Sequence, residues 1–322
     1  MKISFCVPSL NRPEYLCQTI KSICSNIKFS SEFEVCVYNN FSNVSYDIVE
    51  ETIEGLSLNY NINYRVGTSR LDIDRSMFEA MHVAKGEYRF LIGDDDFLFE
   101  DGIDTLFELI SNTSFDMAVF NAILINDSRN TKNELIGFSG RTYDRLDLAL
   151  IDLRVYCAYS NLLIKSKYFI ESDFRFLIGS SHAYGSYWLA FFREFEKDIN
   201  PIIIVPNEHV VCMRVVEKNY KILEVMYKDI DLEFKLYYST IGYKSKEILR
   251  VFEHNYWKQN SSLKQLVYYS YYKNDLRTIK QLNYSFYKKH FIKIQLSMLI
   301  AALIVPVFKP FRDLIRGKHI IN

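Results

Sequence analysis

The sequence predicts an α/β fold: an open, mainly parallel sheet flanked by helices, followed by a helical C-terminal extension. Three observations predict it. Short apolar runs alternate with segments of helical periodicity through roughly the first 125 residues, as in successive β–α units. The segments after the first, second and fourth runs (8–12, 39–42 and 94–96) are all polar. In such sheets, ligands bind in the crevice beyond the carboxyl ends of the strands. After about residue 216 the alternation stops and a helical periodicity rich in Tyr, Lys and Leu takes over.

Each element has a local reason. Residues 3–7 are an apolar run ended by Pro8, and Pro13 suits a first helical turn, followed by Leu16, Ile20, Ile23 and Ile27 at helical spacing. Residues 34–38 form a second strand, and Ser45 is placed to cap a helix that Gly55 helps to end. A third strand covers 61–66, a helix 74–85 with Gly86 as its C-cap, and a fourth strand 88–92. A helix over 104–110 and a strand over 117–120 follow. Beyond residue 155 the pattern predicts strands over 158–164, 202–205 and 210–216, with an aromatic helix over 180–195. The domain reading is therefore an α/β domain over 1–216, with a first half about 1–125 and a second half about 126–216, and a helical region over 217–322.

Composition narrows the class. Hydrophobic residues make up 49%, enough to bury a sizeable core in a chain of 322 residues. Lys+Arg and Asp+Glu balance at 39 each, so no basic surface points to nucleic acid. Six cysteines lack any C-x-x-C pair, and Cys6 and Cys36 fall inside apolar runs, which reads as reduced thiols in a reducing compartment. The N-terminal apolar run is too short for a secretory signal.

The acidic run Asp94-Asp95-Asp96 carries the most chemistry. Three adjacent carboxylates after a buried strand repel one another unless a cation is shared. Mg²⁺ or Mn²⁺ takes such oxygen donors together with phosphate oxygens, and stabilises charge on a diphosphate leaving group. The alternative is a solvated acidic turn capping the next helix.

Several pieces, in order, resemble family 2 glycosyltransferases of the GT-A fold, in the bacterial branch that includes abequosyltransferase-like enzymes. They are residues 7–12 (VPSLNR), 34–42 (EVCVYNNFS), 74–76 (DRS), 84–88 (AKGEY) and 91–96 (LIGDDD). The resemblance covers about 1–125 well and 155–215 weakly. It implies an inverting transfer of a sugar from a nucleotide-diphosphate sugar to a glycan or polyprenyl-linked acceptor in surface-polysaccharide synthesis. It places Pro8, Asn11, Arg12, Asn39, Ser42, Asp74, Asp94, Asp95 and Arg214 at the nucleotide sugar, and Asp94 and Asp96 at the metal, with Asp96 the direct ligand. Asn39 stands where the family usually has Asp, which leaves the base open, with UDP mildly favoured. Ser76 stands where the family often has Asn.

An inverting transfer needs a general base. The family's usual acidic pair is missing, which leaves His182 and Glu194 as candidates. A satisfied core histidine and a solvated helix face are their alternatives. Arg214 could reach the diphosphate as a bidentate partner or form an ordinary ion pair. Near the C-terminus, residues 296–308 are uncharged and flanked by Lys288, Lys289 and Lys293 before, and Lys309, Arg312, Arg316 and Lys318 after. That run is shorter than the about 20 residues a spanning helix needs. It predicts a membrane-associating segment over about 291–318, lying in an anionic interface on the inner face of the cytoplasmic membrane. The rival readings are a buried helix, a non-catalytic nucleotide-sugar-binding protein of the same fold, and a nucleotidyltransferase. The last would usually carry a Gly-rich phosphate loop, and 8–13 has no Gly.

Overall fold

The computed structural model of the protein describes residues 1–126, 131–153, 157–215, 222–271 and 276–303. The chain divides into two compact units, one of residues 1–179 with 183–216, the other of 180–182 with 217–322.

The first unit holds strands β1 (Ile3–Ser9), β2 (Phe33–Asn39), β3 (Asn61–Val66), β4 (Tyr88–Leu91), β5 (Phe97–Leu98), β6 (Met117–Val119), β7 (Ile123–Asn126), β8 (Thr131–Glu134), β9 (Arg141–Tyr143), β10 (Leu162–Lys165), β11 (Ile203–Val205) and β12 (Val211–Arg214). Its helices are α1 (Pro13–Ile23), α2 (Asp47–Leu56), α3 (Ile73–Met81), α4 (Gly102–Asn112), α5 (Leu146–Leu153), α6 (Glu171–Phe176) and α7 (Tyr187–Glu196). The main sheet runs β3-β2-β1-β4-β10-β6-β11-β9 and a smaller one runs β5-β12-β7-β8.

The β3-β2-β1-β4 half is parallel, as the alternation predicts. The other half is mixed, because β10 runs antiparallel to both β4 and β6. Among the described residues strand follows strand from β6 to β9, and β10 enters the sheet after α5. All seven residues of β2 are buried, so helices cover both faces of the sheet there. Phe5, Phe33 and Phe90 form the centre of the core, with the Phe5 and Phe33 rings edge to face at 5.7 Å.

Boundaries differ from expectation for local reasons. β1 continues through Pro8 to Ser9, because pairing with β4 ends at Cys6 and the missing N–H costs nothing beyond it. α2 starts at Asp47, one residue later than a Ser45 cap requires. α3 starts behind Asp72, whose carboxylate accepts the Arg75 N–H at 2.9 Å, and ends at Met81. Gly86 is not its C-cap. It lies against β1, where a Cβ would come within 2.6 Å of the Ser4 nitrogen. Ile27 sits in a 3-10 turn and is 62% exposed. The helix predicted from 180 begins at Tyr187, and the strand predicted from 158 begins at Leu162. The expected strand over 210–216 spans Val211–Arg214; Val216 lies outside the described residues.

The second unit is helical: α8 (Ile222–Glu224), which passes through a π turn at Val225–Asp229 into α9 (Ile230–Thr240), then α10 (Tyr243–Asn260), α11 (Leu263–Tyr271), α12 (Ile279–Leu282) and α13 (Tyr284–Leu303). Leu223, Tyr227, Leu266, Leu276, Ile279, Phe286 and Ile294 form its core. Among the described residues, no helix is long and apolar enough to cross a membrane. Residues 304–318 of the expected membrane-associating segment lie outside the described residues.

Candidate active site

The acidic triplet forms a tight turn at the carboxyl end of β4, closed by an Asp96 N–H to Gly93 carbonyl bond of 3.2 Å. Its backbone is clamped from three directions. The Thr19 hydroxyl, on the buried face of α1, lies 3.0 Å from the Asp94 carbonyl and 2.6 Å from the Asp96 carbonyl. The Arg214 guanidinium donates to the Asp95 carbonyl at 2.9 Å. Ser160 accepts the Gly93 N–H on its hydroxyl at 2.8 Å and donates its own N–H to the Leu91 carbonyl at 2.8 Å.

The three carboxylates diverge. Asp96 turns into the protein and is 5% exposed. One of its oxygens accepts the Ser160 hydroxyl at 2.5 Å and the other the Arg214 N–H at 2.8 Å. Asp94 and Asp95 face Arg12 instead, whose guanidinium donates to Asp94 at 3.3 Å and to Asp95 at 2.7 Å. Asp94 also accepts the Ser9 hydroxyl at 2.7 Å and the Leu10 N–H at 3.3 Å. Burial dominates its titration and lifts it to about 6, against the pull of Ser9, Arg12 and the Leu10 N–H. Burial lowers the Arg12 guanidinium, but Asp94 and Asp95 outweigh that and leave it raised.

The loops after β1 and β2 are joined edge to edge. The Asn11 N–H donates to the Ser42 hydroxyl at 2.9 Å, and the Asn43 N–H to the Asn11 side-chain oxygen at 2.9 Å. Asn39 accepts the Ser42 N–H at 3.0 Å and donates to the Tyr64 hydroxyl at 3.0 Å. The Tyr46 hydroxyl lies 2.8 Å from Ser9 and accepts the Arg12 N–H at 3.2 Å. Pro8 lies in β1, opposite Tyr38. The predicted positions Pro8, Asn11, Arg12, Asn39, Ser42, Asp94, Asp95 and Arg214 therefore share one rim.

Three other predicted residues have different surroundings. Asp74 is 1% exposed, and its oxygens accept the N–H groups of Gly179 at 2.7 Å and Ala183 at 3.1 Å. It anchors both ends of the turn that carries His182. The His182 ring Nδ1 lies 2.8 Å from the Ser180 carbonyl, which requires Nδ1 to carry the proton and leaves Nε2 unprotonated in the neutral ring. Glu194 lies in the last turn of α7 and pairs with Lys197 at 3.4 Å.

The oxygen-only donor set facing Arg12 suits a hard cation, and the guanidinium already holds a positive charge against two carboxylates there. Those two are Asp94 and Asp95. Each oxygen of Asp96 accepts an internal bond, and a carboxylate oxygen has a second lone pair to offer an ion. Among the described residues, no three carboxylate, imidazole or thiol side chains converge as a ready metal cluster. Sequence reasoning missed Ser9, Thr19, Tyr46 and Ser160. Only Thr19 leaves a trace, as a polar residue on the apolar face of α1 beside Leu16, Ile20 and Ile23.

The sequence profile described as Glycosyl transferase family 2 matches residues 4–193. The chain belongs to that family. It is 38% identical over 108 residues to abequosyltransferase RfbV of Salmonella typhimurium, an alignment covering 33% of this chain and 32% of that protein. The match thus spans about a third of the curated relative's length. Among solved structures, S. aureus TarS 1–349 in complex with UDP-GlcNAc aligns with TM-score 0.65 at 13% identity, over 93% of this chain and 91% of that one. The mannosyltransferase PcManGT from Pyrobaculum calidifontis, in complex with GDP-Man and Mn²⁺, aligns with TM-score 0.54 at 13% identity, over 94% and 86%. At such identities the likeness shows the fold, which is GT-A: a mixed α/β sheet flanked by helices, with a helical C-terminal region.

Proposed function

We propose that this protein is an inverting glycosyltransferase that moves a sugar from a nucleotide-diphosphate sugar to a glycan or polyprenyl-linked acceptor in bacterial surface-polysaccharide synthesis. Family membership supports the reaction class. The observation that carries the site is the Asp94–Arg12–Asp95 cluster at the carboxyl end of β4, joined to the loops after β1 and β2. The relative is named an abequosyltransferase, and the structural neighbours were solved with UDP-GlcNAc and with GDP-Man and Mn²⁺. Those names support a nucleotide-sugar donor, with UDP mildly favoured.

In this reading Asp94 and Asp96 would hold Mg²⁺ or Mn²⁺, with Asp96 the direct ligand, and the metal would supply positive charge to the diphosphate leaving group. Asp96, Ser160 and Thr19 keep the turn in place. Arg12 and Arg214 offer guanidinium donors to phosphate oxygens. The acceptor hydroxyl attacks the anomeric carbon as the bond to the diphosphate breaks, and a general base takes its proton, with His182 the candidate. Glu194, tied to Lys197, is the weaker candidate base.

The protein would work at the inner face of the cytoplasmic membrane, held there by its second unit. On α13, Ile292 is 79% exposed, Leu296 44% and Leu299 55%, at helical spacing on one face, with Lys288, Lys289 and Lys293 beside them. An apolar stripe with cations at its border suits an anionic lipid surface.

The test is release of nucleoside diphosphate in the presence of Mn²⁺ from a panel of UDP-, dTDP-, GDP- and CDP-sugars with membrane glycolipid acceptor. Turnover with a wild-type protein and none with Asp96→Ala is the expected result. Binding without turnover for the whole panel would favour a non-catalytic nucleotide-sugar-binding protein, and pyrophosphate release a nucleotidyltransferase.

A further inference from the structure

Phe41 is out of place as a structural residue. It follows β2 with its backbone in the left-handed region, φ 55, and it is 53% exposed. A bulky side chain is a genuine outlier in that conformation, which Gly or Asn would adopt with less steric cost. An exposed ring recovers little of that cost through burial. The turn that imposes the conformation is well fixed: the Phe41 N–H donates to the Asn39 carbonyl at 2.8 Å, and Ser42 is tied to Asn11 across the rim. Strain of this kind persists where surrounding structure enforces it, and it clusters at ligand sites.

Two further observations describe the residues around this turn. The strand register sets Asn39 opposite Val66, and Val66 is itself 54% exposed. An aromatic and an aliphatic side chain thus stand uncovered at the ends of neighbouring strands, on the rim that carries Asn11 and Arg12. The Asn39 amide, which the family resemblance sets at the base, already bonds at both ends, to the Ser42 N–H and the Tyr64 hydroxyl.

We propose that Phe41 is the stacking platform for the nucleobase of the donor, with Val66 as its apolar flank. Base choice then rests on stacking more than on hydrogen bonds from Asn39. This rests on the nucleotide-sugar reading above. Because every base has a π-face, the site should accept UDP and GDP with affinities within about tenfold of each other.

The test is titration calorimetry with Mn²⁺ on wild-type protein, Phe41→Gly and Phe41→Trp, using UDP, GDP and inorganic pyrophosphate. Phe41→Gly should weaken UDP and GDP by roughly tenfold, within the range for loss of one base–aromatic stack, while leaving pyrophosphate unchanged. Its melting temperature should equal or exceed wild type, because Gly removes the strain, and Phe41→Trp should keep the affinity. The proposal is overturned if Phe41→Gly binds UDP and GDP like wild type, or if it loses pyrophosphate equally. Failure of wild type to bind any nucleotide is a separate result, and sinks the nucleotide-sugar reading itself.

Discussion

Asp96 and Asp95 are chain neighbours of the same type, yet their removal should have opposite signatures. Asp96→Ala takes the acceptor from two donors in a buried site: the Arg214 N–H at 2.8 Å and the Ser160 hydroxyl at 2.5 Å. A buried donor left unsatisfied costs about 1–3 kcal/mol. The Arg214 N–H is fixed by β12 and takes the full penalty; the Ser160 hydroxyl can rotate and takes less. The sum is about 2–4 kcal/mol, or roughly 5–15 °C in melting temperature for a unit of this size. Asp95→Ala removes only an ion pair to Arg12, whose side chain is 37% exposed. Such pairs contribute about 0–1 kcal/mol, so the shift should stay under about 3 °C. Thermal melts by circular dichroism give the first comparison, and the free Mn²⁺ signal in electron paramagnetic resonance, with nucleotide present, gives the second. Asp95→Ala should keep its melting point and bind Mn²⁺; Asp96→Ala should lose both. An Asp96→Ala protein that melts within 2 °C of wild type would refute the inward-facing role.

The pH dependence of Asp94 has a definite sign. Its carboxyl is lifted from 3.8 to about 6 by burial, so between those values the folded protein keeps a proton that the unfolded chain has lost. Its contribution is full below pH 3.8 and is lost as pH rises through 6, by about 3 kcal/mol. Urea unfolding of wild type against Asp94→Asn at pH 4 and pH 7 measures it: the difference should move against wild type at the higher pH, and a constant difference refutes the shift. Asp74→Ala strips the shared acceptor from Gly179 and Ala183, so kcat should fall about tenfold or more with donor KM nearly kept, since small misplacements of reacting groups are costly. Steady-state kinetics decide, and an unchanged kcat ends the anchoring role. Replacing Ile292 and Leu299 together by Glu should release the protein from anionic vesicles while sparing the buried Ile294; sedimentation with vesicles as strong as wild type's would count against the lipid-facing stripe. Truncation after Phe291 is a poorer test, because it also removes Ile294 from the core.

The parallel half of the fold was legible because its strands are buried apolar runs ended by polar turns. Those turns lie at one end of the sheet by topology alone, so the rim was legible too. Of the smaller sheet only β12 was legible: β5, with two residues, is too short for a period to register, and β7 and β8 were not legible as strands. Nor does a run of three aspartates reveal which way each side chain turns. That depends on Ser160, which is 64 positions away from Asp96, and on Arg214, 118 positions away. Asp74 illustrates the same limit, since its partners lie 105 and 109 positions along the chain.

Backbone strain marks the same rim independently of charge. Among the described residues, five other than glycine have positive φ: Asn11, Phe41, Ser160, Ser181 and Asp198. Asp198 is the ordinary case, a left-handed residue just past the end of α7. Asn11 and Phe41 follow the carboxyl ends of β1 and β2, and Ser160 touches the turn after β4. None of these is needed to complete a strand or helix; each redirects the chain where three loops meet. A site built this way is partly neutralised before any ligand arrives, because Arg12 already answers Asp94 and Asp95. Entry of a divalent cation then competes with a guanidinium already in place and does not meet bare carboxylates. Its free energy must be small compared with what three unpaired carboxylates would give. Cation affinity should therefore be modest without nucleotide, and should rise when a diphosphate offers Arg12 a new partner.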